Sequence, residues 1–217
     1  WEIKPVLTAL LKSEHFFDPL NQGCLIKSPV DFIIGLCREC EVPLPDSKDY
    51  TTWYSTLDGL LYQLELLQQS PGDPPSVSGW PAYYQIPSFH ELWINNDTYP
   101  RRTQFTDIMV YNGFTRLGFE LKMDTIAFAR SLSNPGDPKA LLDDSLATLY
   151  RIALSDAAKE QLKRDLLLTG QTNDYYWTNA WNTYIANPGD MMAYQTVHTR
   201  LNELYRYLLA LPEYQLS

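Results

Sequence analysis

Cysteine and histidine are scarce, with three of each in 217 residues. Cys24, Cys37 and Cys40 form an odd set, too few to staple a chain of this size. With His15 they make a nominal Cys3His zinc set, but the spacing matches no finger or ribbon, and cysteine commonly serves as a small buried hydrophobe. No metal and no other cofactor is expected. Long apolar runs are absent too: none approaches the roughly 18 residues of a membrane-spanning helix. The chain opens at Trp1 without a basic-then-apolar leader, as a mature or truncated chain also would.

Positive charge is in short supply. Seventeen Lys and Arg face 26 Asp and Glu, a formal net charge of −9. Nucleic acid demands a cationic surface, as does an anionic bilayer, so neither is an expected partner. The imbalance sits mainly in residues 1–113, where 14 acids meet 7 bases. Enzyme signatures are missing as well: no Gly-x-Gly-x-x-Gly, no P-loop, no Gly-x-Ser-x-Gly elbow and no His-Glu-x-x-His. The histidines at 15, 90 and 198 are scattered. Asp143 and Asp144 are helix neighbours that point to different sides, a poor acid–base pair. No catalytic residue is assigned.

What is present is helical punctuation. Ser28-Pro29 is a cap followed by proline at the first helical position, leading a stripe of Val30, Ile33, Ile34 and Cys37. Apolar residues at helical spacing mark Val6–Phe17, Tyr50–Gln69 and a helix capped by Asn95 or Asn96 that runs to Tyr111 and stops at Gly113. Further starts stand at Asp137-Pro138, Ser155, Asn173 or Asp174, and Asp190, the last opening Met191–Leu211 before Pro212. Asn-Pro-Gly-Asp occurs at 134–137 and at 187–190, which reads as one turn-plus-cap used twice. The segment 114–123 alternates weakly, as a short strand pair would. The pattern predicts a mainly α fold, an irregular bundle of about seven helices with at most a small hairpin. Residues 1–217 read as one helical domain, with 1–113 and 114–217 as alternative subregions.

The segment from Gln69 to Phe105 stands apart. It is rich in Pro and Gly and dense in aromatics, including Trp80, Tyr83, Tyr84 and Trp93. Connections longer than about 12–15 residues are usually functional or disordered, and disordered segments are poor in aromatic residues. An ordered loop is therefore expected. Exposed Trp and Tyr stack on sugar rings or seat an apolar anchor, and Arg102 can grip a carboxylate or sulfate. Trp80, Tyr83, Tyr84, Trp93 and Arg102 are the candidate ligand-binding residues, with Tyr83, Tyr84 and Trp93 expected to line a shallow groove. The alternative is that the loop packs its aromatics inward as a brace, with Lys27 and Arg102 satisfying loop carbonyls. Gly79 and Pro81 flank Trp80 with backbone shapes suited to one defined turn.

Two motifs resemble the bacterial family called domain of unknown function 1800. One is Phe16-Phe17, Gly23, then Ile26-Lys27-Ser28-Pro29-Val30-Asp31-Phe32 and Arg38. The other is Gln69, Pro74-Pro75-Ser76-Val77-Ser78-Gly79-Trp80-Pro81, Trp93-Ile94-Asn95 and Arg102, with Phe105. The closing Leu211-Pro212-Glu213-Tyr214-Gln215-Leu216 is similar to the family's ending. Leu67-Gln68-Gln69 departs from the usual Met-Gly-Gln, and Tyr83–Glu91 lengthens the link between the two tryptophans. The resemblance implies an exported, periplasmic or envelope-associated protein of unknown function. Members are about twice as long, so the chain is expected to be a C-terminal part that packs on its own N-terminal half. It also leaves three roles open: a non-catalytic module binding a glycan or protein through the 69–105 loop, part of an enzyme on envelope polymers, or a scaffold.

Overall fold

The fold is mainly α, as the punctuation predicts, and most starts carry the expected cap. The computed structural model describes residues 2–80 and 90–217. Among these residues nine α-helices are present: α1 (Ile3–Leu11), α2 (Pro29–Glu39), α3 (Tyr50–Leu66), α4 (Thr98–Tyr111), α5 (Thr125–Ser131), α6 (Pro138–Leu149), α7 (Asp156–Leu162), α8 (Tyr175–Ala186) and α9 (Met191–Ala210). Ser28, Asp49, Asp124, Asp137, Ser155 and Asp190 each accept an N–H of the first turn that follows, which removes orphan donors at six of the nine starts.

The repeated Asn-Pro-Gly-Asp is the same device twice. In each copy the Asp N–H bonds the Asn carbonyl, at 3.2 Å for Asp137 and 3.0 Å for Asp190, and the Asp then caps its helix. The first copy is also docked. Trp177 Nε1 donates to the Pro135 carbonyl at 2.8 Å, and Thr178 Oγ1 to that of Gly136 at 2.8 Å.

The core is organised around α9. Val197, Leu201, Leu204, Tyr205, Leu208 and Leu209 are wholly buried, and α4, α5 and α8 all pack against this helix. The weak alternation at 114–123 is a two-stranded antiparallel hairpin, β1 (Phe114–Arg116) and β2 (Phe119–Leu121), with Phe114 opposite Leu121. Leu117 and Gly118 both have positive φ, the requirement of a tight two-residue hairpin turn. Phe114 stacks on Phe105 of α4 at 5.6 Å, which fastens the hairpin to the bundle.

Three elements differ from the sequence expectation. The first helix ends at Leu11, and Glu14–Phe17 forms a separate 3-10 turn capped by Ser13. Helix α5 was not anticipated, because seven residues are too few to show a helical period. Helix α7 passes into a π-turn at Lys163–Leu167, closed by Leu168 N–H on the Lys163 carbonyl at 3.0 Å. Leu167 and Leu168, at the end of this turn, are both wholly buried.

Gly113 closes α4 with φ +68°, and its N–H bonds the Ile108 carbonyl at 2.7 Å. A Cβ there would lie 2.9 Å from Lys122 Cβ and 3.0 Å from the Leu121 carbonyl oxygen. Gly118 has φ +83° with open space around it. Gly113→Ala should therefore cost more than the ~1–2 kcal/mol of the left-handed conformation alone, while Gly118→Ala should cost about that much. Urea denaturation of the two variants checks the order.

Candidate functional site

The residues that stood out in the sequence converge at an internal junction. Asn95 Oδ1 accepts the N–H groups of Asp97 and Thr98, both at 2.9 Å, while Thr98 Oγ1 donates to the Trp93 carbonyl at 3.0 Å. Trp93-Ile94-Asn95 is thus the device that starts α4. One turn further on, Arg102 points into the protein and is 0% exposed. Its Nη2 donates to the Lys27 carbonyl at 2.8 Å and its Nη1 to Gln215 Oε1 at 3.3 Å. The guanidinium carbon stands 4.8 Å from the centre of the Phe32 ring.

The chain end is held by the same junction. Lys27 N–H donates to the Gln215 carbonyl at 2.7 Å, Ser217 N–H to that of Leu25 at 2.8 Å, and Ile26 and Leu216 form an isolated antiparallel bridge. Tyr214 is wholly buried, with Phe32 5.7 Å from its ring centre. Gln69, at the end of α3, accepts the Val30 N–H through Oε1 at 2.9 Å and so ties the start of α2 to the mouth of the loop. Ser28 Oγ accepts from Asp31 N–H at 3.2 Å, and Pro29 occupies the first helical position, buried.

Lys27 is 4% exposed. Its Nζ lies 3.9 Å from the Tyr214 ring centre and 3.9 Å from Glu39 Oε2, while Arg151 Nη2 reaches Glu39 Oε1 at 3.0 Å. Burial is the largest influence on both charges. It lowers the Lys27 pKa against the attraction of Glu39, and raises that of Glu39 against the pull of Lys27 and Arg151. Burial likewise lowers the Arg102 pKa to about 10, which leaves the guanidinium charged at neutral pH. Among the described residues, five of the nine buried side-chain atoms without a hydrogen-bond partner belong here: Lys27 Nζ, Glu39 Oε2, Arg102 Nε, Tyr214 Oη and Gln215 Nε2. So many buried polar groups in one place mark a specified junction rather than generic apolar packing.

The candidate ligand residues fall into separate places. Trp93 is 2% exposed and faces the interior; Trp80 is half-buried, its ring 6.4 Å from that of Trp93. Gly79 has φ +89° with nothing within 4 Å of where a Cβ would stand, so it serves the turn rather than a close approach. Pro81, Tyr83 and Tyr84 lie outside the described residues. Arg102 satisfies a carbonyl, but that of Lys27 and not one of the loop, and Lys27 lies beside the Glu39 carboxylate. Cys37 and Cys40 are buried and Cys24 is exposed, all three as free thiols. Burial pushes the Cys37 thiol up to about 11. Among the described residues no three His, Cys, Asp or Glu side chains converge as metal ligands.

Sequence reasoning missed Glu39, Tyr214 and Gln215 as partners of the junction. Tyr214-Gln215 had a signal, since it lies in the closing motif. Glu39 had none: its neighbour Arg38 carries the resemblance yet is exposed, whereas Glu39 turns inward.

The family model described as "Protein of unknown function (DUF1800)" matches residues 1–216. The chain belongs to that family. No curated protein and no solved structure matches it.

Arg102→Ala should destabilise by about 3–5 kcal/mol, because it leaves the Lys27 carbonyl and Gln215 unpaired in the interior. Gln215→Ala, which removes a single 3.3 Å contact, should cost less. Chemical denaturation ranks them, and equal stability of Arg102→Ala and parent would refute the junction. A second expectation concerns pH. Glu39, raised above 4.5, gives up stability as pH rises through its folded pKa; Lys27, lowered below 10.5, regains it as pH rises through its own toward 10.5. Relative to Lys27→Met/Glu39→Gln, the parent should therefore be at its worst between those two folded pKa values and recover on either side. Stability curves of the two proteins from acid to alkaline pH provide the comparison.

Proposed function

We propose that this chain is a non-catalytic helical scaffold that docks onto further protein, first of all the N-terminal half of its own polypeptide. The observation that carries this reading is α1. None of its residues is buried, and Ile3, Val6, Leu7, Leu10 and Leu11 are all exposed, followed by Phe16, Phe17 and Leu20. A nine-residue helix is marginal on its own in water, and a contiguous apolar surface of this kind is the usual mark of an interaction face. The chemistry-bearing candidates support the same view. Arg102 and Lys27 spend their donors inside the molecule, and Trp93 is interior. On this reading the protein is exported, to the periplasm or cell envelope.

A second reading rests on Trp80, which stands half-buried beside Trp93 at the entrance to the lengthened part of the loop. On this reading Trp80, with Tyr83 and Tyr84, binds a glycan or an apolar side chain of a partner.

Hydrogen exchange separates the two. In the longer polypeptide the amides of α1 should be protected, whereas in residues 1–217 alone they should exchange as those of a frayed helix. Equally fast exchange in both would end the docking reading. Protection in the short chain that grows with concentration would replace the proposed occupant with a second copy. A Trp80 fluorescence change on adding bacterial glycans, absent in Trp80→Phe, would favour the loop reading instead.

A further inference from the structure

A groove of about 200 Å³ is lined in part by the closing segment, through Leu211 and Glu213. Its walls are apolar: Leu154, Ala158, Leu162, Leu166 and Leu211 line it, with the half-exposed Tyr207 ring along one side. Three polar side chains stand in it: Gln161, Asp165 and Glu213. Asp165 is already neutralised by Arg164, whose Nε lies 3.1 Å away. Glu213 is different. It is half-buried, its Oε2 has no hydrogen-bond partner, and no lysine or arginine bridges it among the described residues. A carboxylate that no cation of the chain bridges is free to pair with one supplied from outside.

Part of the lining is the π-turn. Asp165 and Leu166 both belong to it, and Leu162 immediately precedes it. Such turns are rare and occur disproportionately at functional sites, because the extra residue re-aims side chains that a regular helix would turn away. Pockets that engulf drug-sized ligands are about 300–1,000 Å³, so this one suits a smaller group such as a single alkyl chain. Apolar walls, with a carboxylate among the lining that no cation of the described residues pairs, complement an apolar stem ending in one positive charge.

We propose that this groove is a binding site for an alkylammonium group, a short apolar chain carrying a primary ammonium that pairs with Glu213. A free amine and a lysine side chain on a peptide share that chemistry. Binding would also bear on the junction, since Glu213 directly precedes Tyr214 and Gln215.

The test uses methyl-labelled protein, n-pentylammonium chloride as the probe and pentan-1-ol as its neutral counterpart. Pentylammonium should shift the Leu154, Leu166 and Leu211 methyl resonances saturably. Pentan-1-ol, and pentylammonium with Glu213→Gln, should each bind about fivefold more weakly or worse. Ala158→Phe fills the groove without touching its charge and should abolish the shifts, which keeps the test decisive if Glu213→Gln perturbs folding. Nα-acetyl-lysine methylamide binding at least as tightly as pentylammonium identifies a peptide as the source, and weaker binding identifies a free amine. Equal binding of alcohol and amine, or undiminished binding to Glu213→Gln, overturns the proposal.

Discussion

A buried guanidinium that faces no carboxylate is the constraint on which this structure turns. Arg102 has left water entirely, and a charge in that position is tolerated only where oriented dipoles and a polarisable face replace its hydration. The Lys27 carbonyl, the Gln215 amide oxygen and the Phe32 ring supply that replacement. Each comes from a distant part of the chain, 75 residues away for Lys27 and 113 for Gln215. The bonds therefore form only when α2, α4 and the closing segment are in register together. Closing such long loops costs entropy that must be met before the contact rewards it, so the junction stabilises the finished fold rather than its early stages.

The same junction explains why the loop residues are wiring first. Gln69 holds the start of α2, Asn95 starts α4, and Arg102 lies on the face of α4 that this start aims inward. The Lys27–Glu39–Arg151 group adds a second layer in which burial opposes charge, since it lowers the Lys27 pKa and raises that of Glu39 despite their attraction. A pair of this sort contributes specificity of register more readily than net stability. Its neighbour Cys40 is almost fully buried, and burial again pushes the thiol pKa upward, so that sulfur behaves as an apolar filler.

The outside of the molecule is organised on another principle. The interior around α9 is closely determined, while α1 and the turns after it leave their apolar side chains uncovered. Interiors fix one arrangement because every atom has neighbours, whereas a face that meets only water is fixed by whatever comes to cover it. The groove at the π-turn stands between these cases, with apolar walls set by the core and one charge not balanced within them.

The sequence alone determined what depends on neighbours in the chain. Caps at Ser28, Asp137, Ser155 and Asp190, the stop at Gly113, the hairpin at 114–121 and the doubled Asn-Pro-Gly-Asp turn were legible because a cap or a turn is a bond over two to four residues. The family motifs were legible too, as a pattern of residue types. What each motif residue faces was not. Whether Trp93 meets water or the core, whether Arg102 meets a ligand or the Lys27 carbonyl, and whether Glu39 rather than Arg38 turns inward depends on contacts beyond the local stretch, as 75 residues separate Arg102 from Lys27 and 112 separate Arg151 from Glu39. Only the packing of α2, α4, α9 and the chain end against one another decides those orientations, because burial is a property of the assembled interior and not of any local stretch.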